Sequence, residues 1–181
     1  MEIEQFIAQS EGEWRSMRSG HSLAFQQFEQ IISHLAIKIL DRNDSRIIDL
    51  LKSNNISDGN YISPFHMKWE SETDWDHNHS SQISSGSTIL IPFPKTKVNG
   101  LLLRSQGYAE PIESLSTYHF LNDGTFILNT PYQKTIAEER IWFLSEKVRS
   151  RSSVIYTDKR LGIIQTSFTS EIKLSNRHEN A

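Results

Sequence analysis

The residues with the most to offer chemically lie between positions 139 and 154. Arg149, Arg151 and Ser153 share one side of an extended segment, Ser150 and Ser152 share the other, and Val148 and Val154 are its only apolar members. Side chains alternate faces along a strand, so a strand packed on a core should show one apolar face. This one does not. Two readings fit: an edge strand in water, which the residues alone favour, or a strand lining a wet or ligand-filled cavity. In the second, two inward guanidiniums suit a ligand with carboxylates, which arginine pairs bidentately. In the preceding segment Glu139 has the parity of the apolar Ile141 and Phe143, whereas Glu138 lies on the side of Arg140 and Trp142. A carboxylate among apolar neighbours must be paired or take up a proton. Arg18 raises the same question of a partner.

A second group is aromatic. If residues 66–76 run as one straight strand, Met67, Trp69 and Trp75 share a wide, polarizable face, and His66, Lys68, Glu70 and Glu72 face solvent. That face serves either as ordinary core or as the wall of a pocket for a flat ligand. Asp74-Trp-Asp76-His77-Asn-His79 has metal-ligand residue types but sits in a run of Ser, Asn and Asp, with no third ligand at a compelling spacing. No metal site is expected. The chain has no GxSxG, P-loop, GxGxxG or HExxH motif. It has no cysteine, which excludes disulfides, thiolate metal sites and a cysteine nucleophile. Nor can the protein hold a ligand through a thioether of its own cysteine.

The elements that must position these residues are mostly strands. Ile3, Phe6 and Ile7 recur at helical spacing, giving a short helix over 2–10, and residues 12–21 alternate as a strand. Residues 23–40 are ambiguous except for a strand at 35–40. Asp41-Arg-Asn-Asp44 reads as a turn and helix start, and Ile47, Ile48, Leu50 and Leu51 give the apolar face of a helix over 45–53. Strands are then expected near 65–71, 86–94, 101–104, 114–120, 125–129, 137–144, 148–156 and 163–174, with a polar turn over 80–85. Asn99-Gly100, Asn122-Asp-Gly124 and Asp158-Lys-Arg160 are the turn signals between them. Eight to ten strands at this spacing predict an antiparallel up-and-down barrel, mainly β, with an N-terminal helix and a second helix near 45–53. A barrel of about eight strands has room for one small ligand.

Length and composition fit one domain over 1–181, with a frayed tail at 176–181. Nineteen Lys and Arg against twenty-two Asp and Glu give a net charge of -3, so there is no global drive toward nucleic acid or an anionic membrane. No stretch approaches the roughly 20 apolar residues of a membrane span, and the acidic start has no signal-peptide core. A reducing, cytoplasm-like compartment is expected.

Together these segments resemble the S-type phycobilin lyases, the CpcS/CpeS family of chromophore lyases. The likeness rests on Gly12-x-Trp14-x-Ser16-x-Arg18-x-x-His21 with Leu23-Ala-Phe25, on Met67-x-Trp69-Glu70 and Trp75, and above all on two adjoining segments. These are Ala137-Glu-Glu-Arg-Ile-Trp-Phe143 and Val148-Arg-Ser-Arg151-Ser-Ser-Val154. The resemblance runs from about residue 4 to about residue 174. It implies a calycin barrel related to lipocalins and fatty-acid-binding proteins. It implies an enzyme that binds a free linear tetrapyrrole, phycoerythrobilin foremost or phycocyanobilin, and delivers it to a cysteine of an apo-phycobiliprotein subunit of phycoerythrin or phycocyanin type. The bilin is substrate, and no permanent cofactor is implied. By this resemblance Glu139 and Arg149 face the bilin as the catalytic pair. Met67 and Trp69 position it, and Arg18, Trp75 and Arg151 complete its binding set. Arg149, Arg151 or both would pair with the propionates, and Glu139 would accept hydrogen bonds from pyrrole N–H groups. The setting would be a cyanobacterial cytoplasm or a plastid stroma, and barrels of this kind are compatible with a homodimer. The rival reading is a calycin that carries a tetrapyrrole without transferring it.

Overall fold

Long alternating segments without an unpaired edge are the physical requirement for closing a sheet on itself, and this chain meets it. A computed structural model of the protein describes residues 1–56, 59–72, 85–105, 114–157 and 160–175. The chain order is α1 (Ile3–Ser10), β1 (Gly12–Ser22), β2 (Gln27–Ile39), α2 (Ser45–Ser53), β3 (Phe65–Ser71), β4 (Gly86–Pro94) and β5 (Asn99–Arg104). There follow β6 (Ser114–Phe120), β7 (Phe126–Pro131), β8 (Thr135–Ser145), β9 (Val148–Thr157) and β10 (Ile163–Lys173). Each strand pairs antiparallel with its neighbours in sequence, and β1 pairs with β10, so all ten strands close into a barrel. The mainly β barrel with two helices is therefore the architecture expected from the sequence.

Closure overturns one expectation. β9 lies between β8 and β10 and has no free edge, so the edge-in-water reading of residues 147–153 is wrong. Arg149 and Ser150 are buried. The strand lacks an apolar face because its inner face is charged and its charges are paired inside the barrel.

One end of the barrel is plugged. Ile3, Phe6 and Ile7 of α1 point inward and are buried. Phe6 stacks on Phe126 at 4.4 Å between centroids and meets Phe120 and Phe143 edge-on at 5.8 and 5.7 Å. Aromatic pairs at such distances add to the ~1.5–3 kcal/mol of burying each apolar side chain. The Trp14 Nε1–H donates to the Ser10 carbonyl at 2.8 Å, satisfying a helix C-terminal acceptor. α2 packs outside the barrel. Asp44 caps it by accepting from the Arg46 N–H at 3.0 Å, and Ile47, Leu50 and Leu51 bury against Ile91 and Leu103. This explains the near-continuous apolar runs of β4 and β5, which are covered on both faces.

Two details depart from the sequence expectation. Asn99-Gly100 is not a turn but the start of β5, and the bend precedes it at 95–98. Glycine stands at position 100 for space: a Cβ there would lie 2.4 Å from the Phe93 carbonyl and 2.6 Å from the Tyr118 hydroxyl. β2 begins at Gln27, earlier than the 35–40 segment legible in the sequence, because residues 27–30 are exposed and carry no alternation to read.

Candidate functional site

The half of the barrel away from α1 holds a cavity of about 120 Å³ with two unlike walls. One wall is apolar. Ile31 and Leu35 of β2 and Met67 and Trp69 of β3 line it, with Leu35 opposite Trp69 and Ile37 opposite Met67 in the ladder. Trp69 owes its position to Gly86 across the next ladder, where a Cβ would lie 2.4 Å from the indole Cζ2. The facing wall is polar and comes from β1, β8, β9 and β10. It includes Arg18, Glu139, Arg151, Ser153, Ser167 and Thr169.

The charged residues form one connected cluster across four strands. Glu139 on β8 lies 3.7 Å from the Arg104 Nη1 of β5 and 3.5 Å from the Arg151 Nη1 of β9. Arg151 also pairs with Glu171 of β10, and Glu171 accepts from the Nε of Arg149, its register partner. The Arg149 guanidinium rests 4.5 Å from the Trp14 ring centroid, a cation–π contact at the floor of the barrel. Glu171 is 0% exposed. Burial pushes its carboxyl up, but Arg151 and Arg149 outweigh burial and hold it down at about 2. Burial lowers Arg149, which Glu171 only partly offsets, whereas Glu171 and Glu139 together overcome the burial of Arg151 and raise it. Higher in the cavity Arg18 pairs with Glu29 at 2.7 Å, and burial lowers its guanidinium from its ordinary value.

The structure thus brings together Arg18, Met67, Trp69, Glu139 and Arg151 around one cavity. Arg149 lies deeper, covered by Glu171 and Trp14, and lines only a smaller chamber beneath. Trp75 and the Asp74–His79 cluster lie outside the described residues, as do most of the polar turn at 80–85, Asp158 and Lys159, and the tail at 176–181. β3 spans Phe65–Ser71, and residues 73–76 of the strand expected over 66–76 lie outside the described residues. Glu138 is the outward partner of Arg140 and Arg160, at 3.0 and 3.1 Å, as its parity implied. Two members of the cluster were missed from sequence. Glu171 shares parity with Gln165, Ser167 and Thr169, a polar run that signals an inward hydrophilic face only once the register with β9 is known. Arg104 ends the apolar run Leu101-Leu-Leu and has the inward parity of Leu102.

A closed ten-stranded barrel, plugged at one end and holding an amphipathic cavity at the other, has the calycin architecture. A family model described as CpeS-like protein matches residues 2–174. A Trichodesmium erythraeum protein named chromophore lyase CpcS/CpeS 3 is 43% identical over 175 residues, covering 96% of this chain and 99% of that protein. A putative phycoerythrobilin lyase CpeS from Microchaete diplosiphon is 42% identical over 82% of this chain and 66% of its own length. The solved structure of the S-type phycobiliprotein lyase CpeS from Guillardia theta superposes with a TM-score of 0.83 at 34% identity, covering 98% of this chain and 95% of that one. The chain belongs to the CpeS-like family of chromophore lyases. No helix among the described residues is long and apolar enough to cross a membrane.

Proposed function

We propose that this protein binds a free linear tetrapyrrole noncovalently in the open half of the barrel and delivers it to a cysteine of an apo-phycobiliprotein. The observation that carries the reading is the cavity with an apolar, aromatic wall facing a wall of arginine, glutamate and hydroxyls. A bilin has the matching character: conjugated rings, inner N–H donors and two propionates. Phycoerythrobilin is the favoured substrate, in keeping with the name of the Microchaete relative.

In this reading Met67 and Trp69 hold the rings by contact and exclude other conformers. Glu139 accepts hydrogen bonds from pyrrole N–H groups, and its negative charge favours the protonated, cationic chromophore. A cationic conjugated system is the better electrophile. Arg18, at the outer end of the cavity, is placed for a propionate and would exchange its half-exposed partner Glu29 for it. Arg149 acts through Glu171 and Arg151, fixing the guanidinium that faces Glu139. Trp75 keeps the role that the family resemblance implies for it. In the transfer step the acceptor sulfur bonds to the exocyclic ethylidene carbon of ring A and the ethylidene double bond breaks. The thiol hydrogen goes to the ring carbon, so no oxidant or reductant is needed. The protein contributes orientation more than acid–base power.

Absorbance titration with phycoerythrobilin tests the binding step. A saturable, red-shifted and sharpened band that denaturant abolishes is expected. A spectrum identical to free bilin would remove the proposal. Saturable binding without any gain in thioether formation on an apo-subunit would leave a carrier instead.

A further inference from the structure

Beneath the main cavity lies a second, inner chamber of about 60 Å³, walled by Ile3, Phe6 and Ile7 of the plug and by apolar strand residues. Its apolar lining is interrupted by buried polar atoms. Nε and Nη1 of Arg104, Nε of Arg151 and Oγ of Ser10 make no hydrogen bond among the described residues, and all three residues line this chamber. Three of these four atoms are guanidinium nitrogens, which donate and cannot accept. Arg104 is 4% exposed, and its 3.7 Å approach to Glu139 is an ion-pair contact too long for a hydrogen bond. Buried donors left unmade are costly and uncommon, and here they converge on one small space.

The charges around the chamber do not cancel. Arg104, Arg149 and Arg151 face Glu139 and Glu171, an excess of one positive charge. Convergent donors and one surplus cation call for an acceptor bearing one negative charge. Water would satisfy the donors and leave the charge. Arg149 does not meet the need, because Glu171 and Trp14 close off its guanidinium.

We propose that the inner chamber is a carboxylate subsite in which Arg104, assisted by Arg151 and Ser10, receives one propionate of the bound bilin. The inference rests on the bilin-binding reading and names the edge of the ligand, that of the two propionate-bearing middle rings, which faces the floor of the barrel. Met67, Glu139 and Arg151 line both the main cavity and the chamber, so an arm of the ligand passes between them. Anchoring one propionate below the charged cluster turns the propionate-bearing edge of the two middle rings toward the floor and leaves the terminal rings nearer the opening.

The test compares phycoerythrobilin with its dimethyl ester, titrated into the wild-type protein and into Arg104→Gln. A charge-assisted contact to a buried guanidinium predicts that the wild type prefers the free acid by about tenfold or more. Arg104→Gln should bind the acid about tenfold more weakly and the ester nearly unchanged, so the preference narrows by that factor and only the share of the propionate at Arg18 remains. Far-UV circular dichroism and a thermal melt establish that the variant is folded. Arg104→Met, which removes the charge and leaves an apolar side chain in the apolar chamber, carries the comparison if it is not. A wild type that binds ester as tightly as acid overturns the inference, as does a folded variant with the wild-type ratio. Absence of saturable binding of either compound to the wild type instead removes the bilin-binding reading, and this inference with it.

Discussion

Protonating Glu171 should cost this barrel roughly 3 kcal/mol of stability. The carboxyl is fully buried, and Arg151 and Arg149 overcome the effect of burial to hold it at about 2, against 4.5 for an unperturbed glutamate. A shift of that size corresponds to roughly 3 kcal/mol at about 1.4 kcal/mol per unit. The folded-state value is depressed, so the unfolded chain takes up the proton first as the medium is acidified. The contribution is complete above the unfolded value and disappears as pH falls through the folded one. Between pH 6 and 2.5 most of it, roughly 2–3 kcal/mol, should go. Urea unfolding of the wild type and Glu171→Gln across that range isolates the effect, because both share every other carboxylate. At neutral pH the variant should lose about 3–5 kcal/mol, the cost of leaving buried guanidiniums without their partner. Its stability should then fall less steeply with acid than that of the wild type. Parallel curves for the two proteins would refute the assignment of Glu171 as an ionised, doubly paired carboxylate.

Glu139→Gln should weaken phycoerythrobilin binding about tenfold or more and diminish the red shift, as expected for losing a charged acceptor worth ~1.5–3 kcal/mol. Unchanged affinity and spectrum would leave the carboxylate without a part in binding. Gly86→Ala should displace the Trp69 indole, since the added Cβ would overlap Cζ2. Several-fold weaker bilin binding and altered tryptophan emission are expected, in line with ~0.5–1.5 kcal/mol for an aromatic contact. Trp14→Ala, at a 0% exposed site packed on Arg149 and Phe143, should cost about 3–5 kcal/mol in urea denaturation. A loss under 1 kcal/mol would mean that the floor of the barrel repacks.

The barrel was legible because its signals are local. Alternation marks Gly12–Ser22, Ser114–Phe120 and Thr135–Ser145, and Gly124 occupies the positive-φ turn position that Asn-Asp-Gly announces. The helices followed from spacing, and the Asp44 cap from the preference of aspartate for free helix N–H groups. What stayed hidden depends on register across strands far apart in the chain. Arg149 reads as a solvated arginine until closure sets Glu171 opposite it. Arg104 reads as the polar end of an apolar strand until Glu139 approaches from the other side of the barrel. Gly100 reads as a turn residue because Asn-Gly commonly is one, whereas its reason is the close passage of Tyr118 and Phe93. The parity argument alone separated Glu139 from Glu138, placing one inside and the other in contact with Arg140 and Arg160.

The most direct test is transfer. Protein loaded with phycoerythrobilin is incubated with an apo-phycobiliprotein subunit, and thioether-bound chromophore is read as fluorescence on the denatured subunit. Attachment that is faster and spectrally more uniform than with free bilin, and slowed in Glu139→Gln, is the result predicted. Chromophore that stays with the barrel, or attachment no different from free bilin, would contradict it.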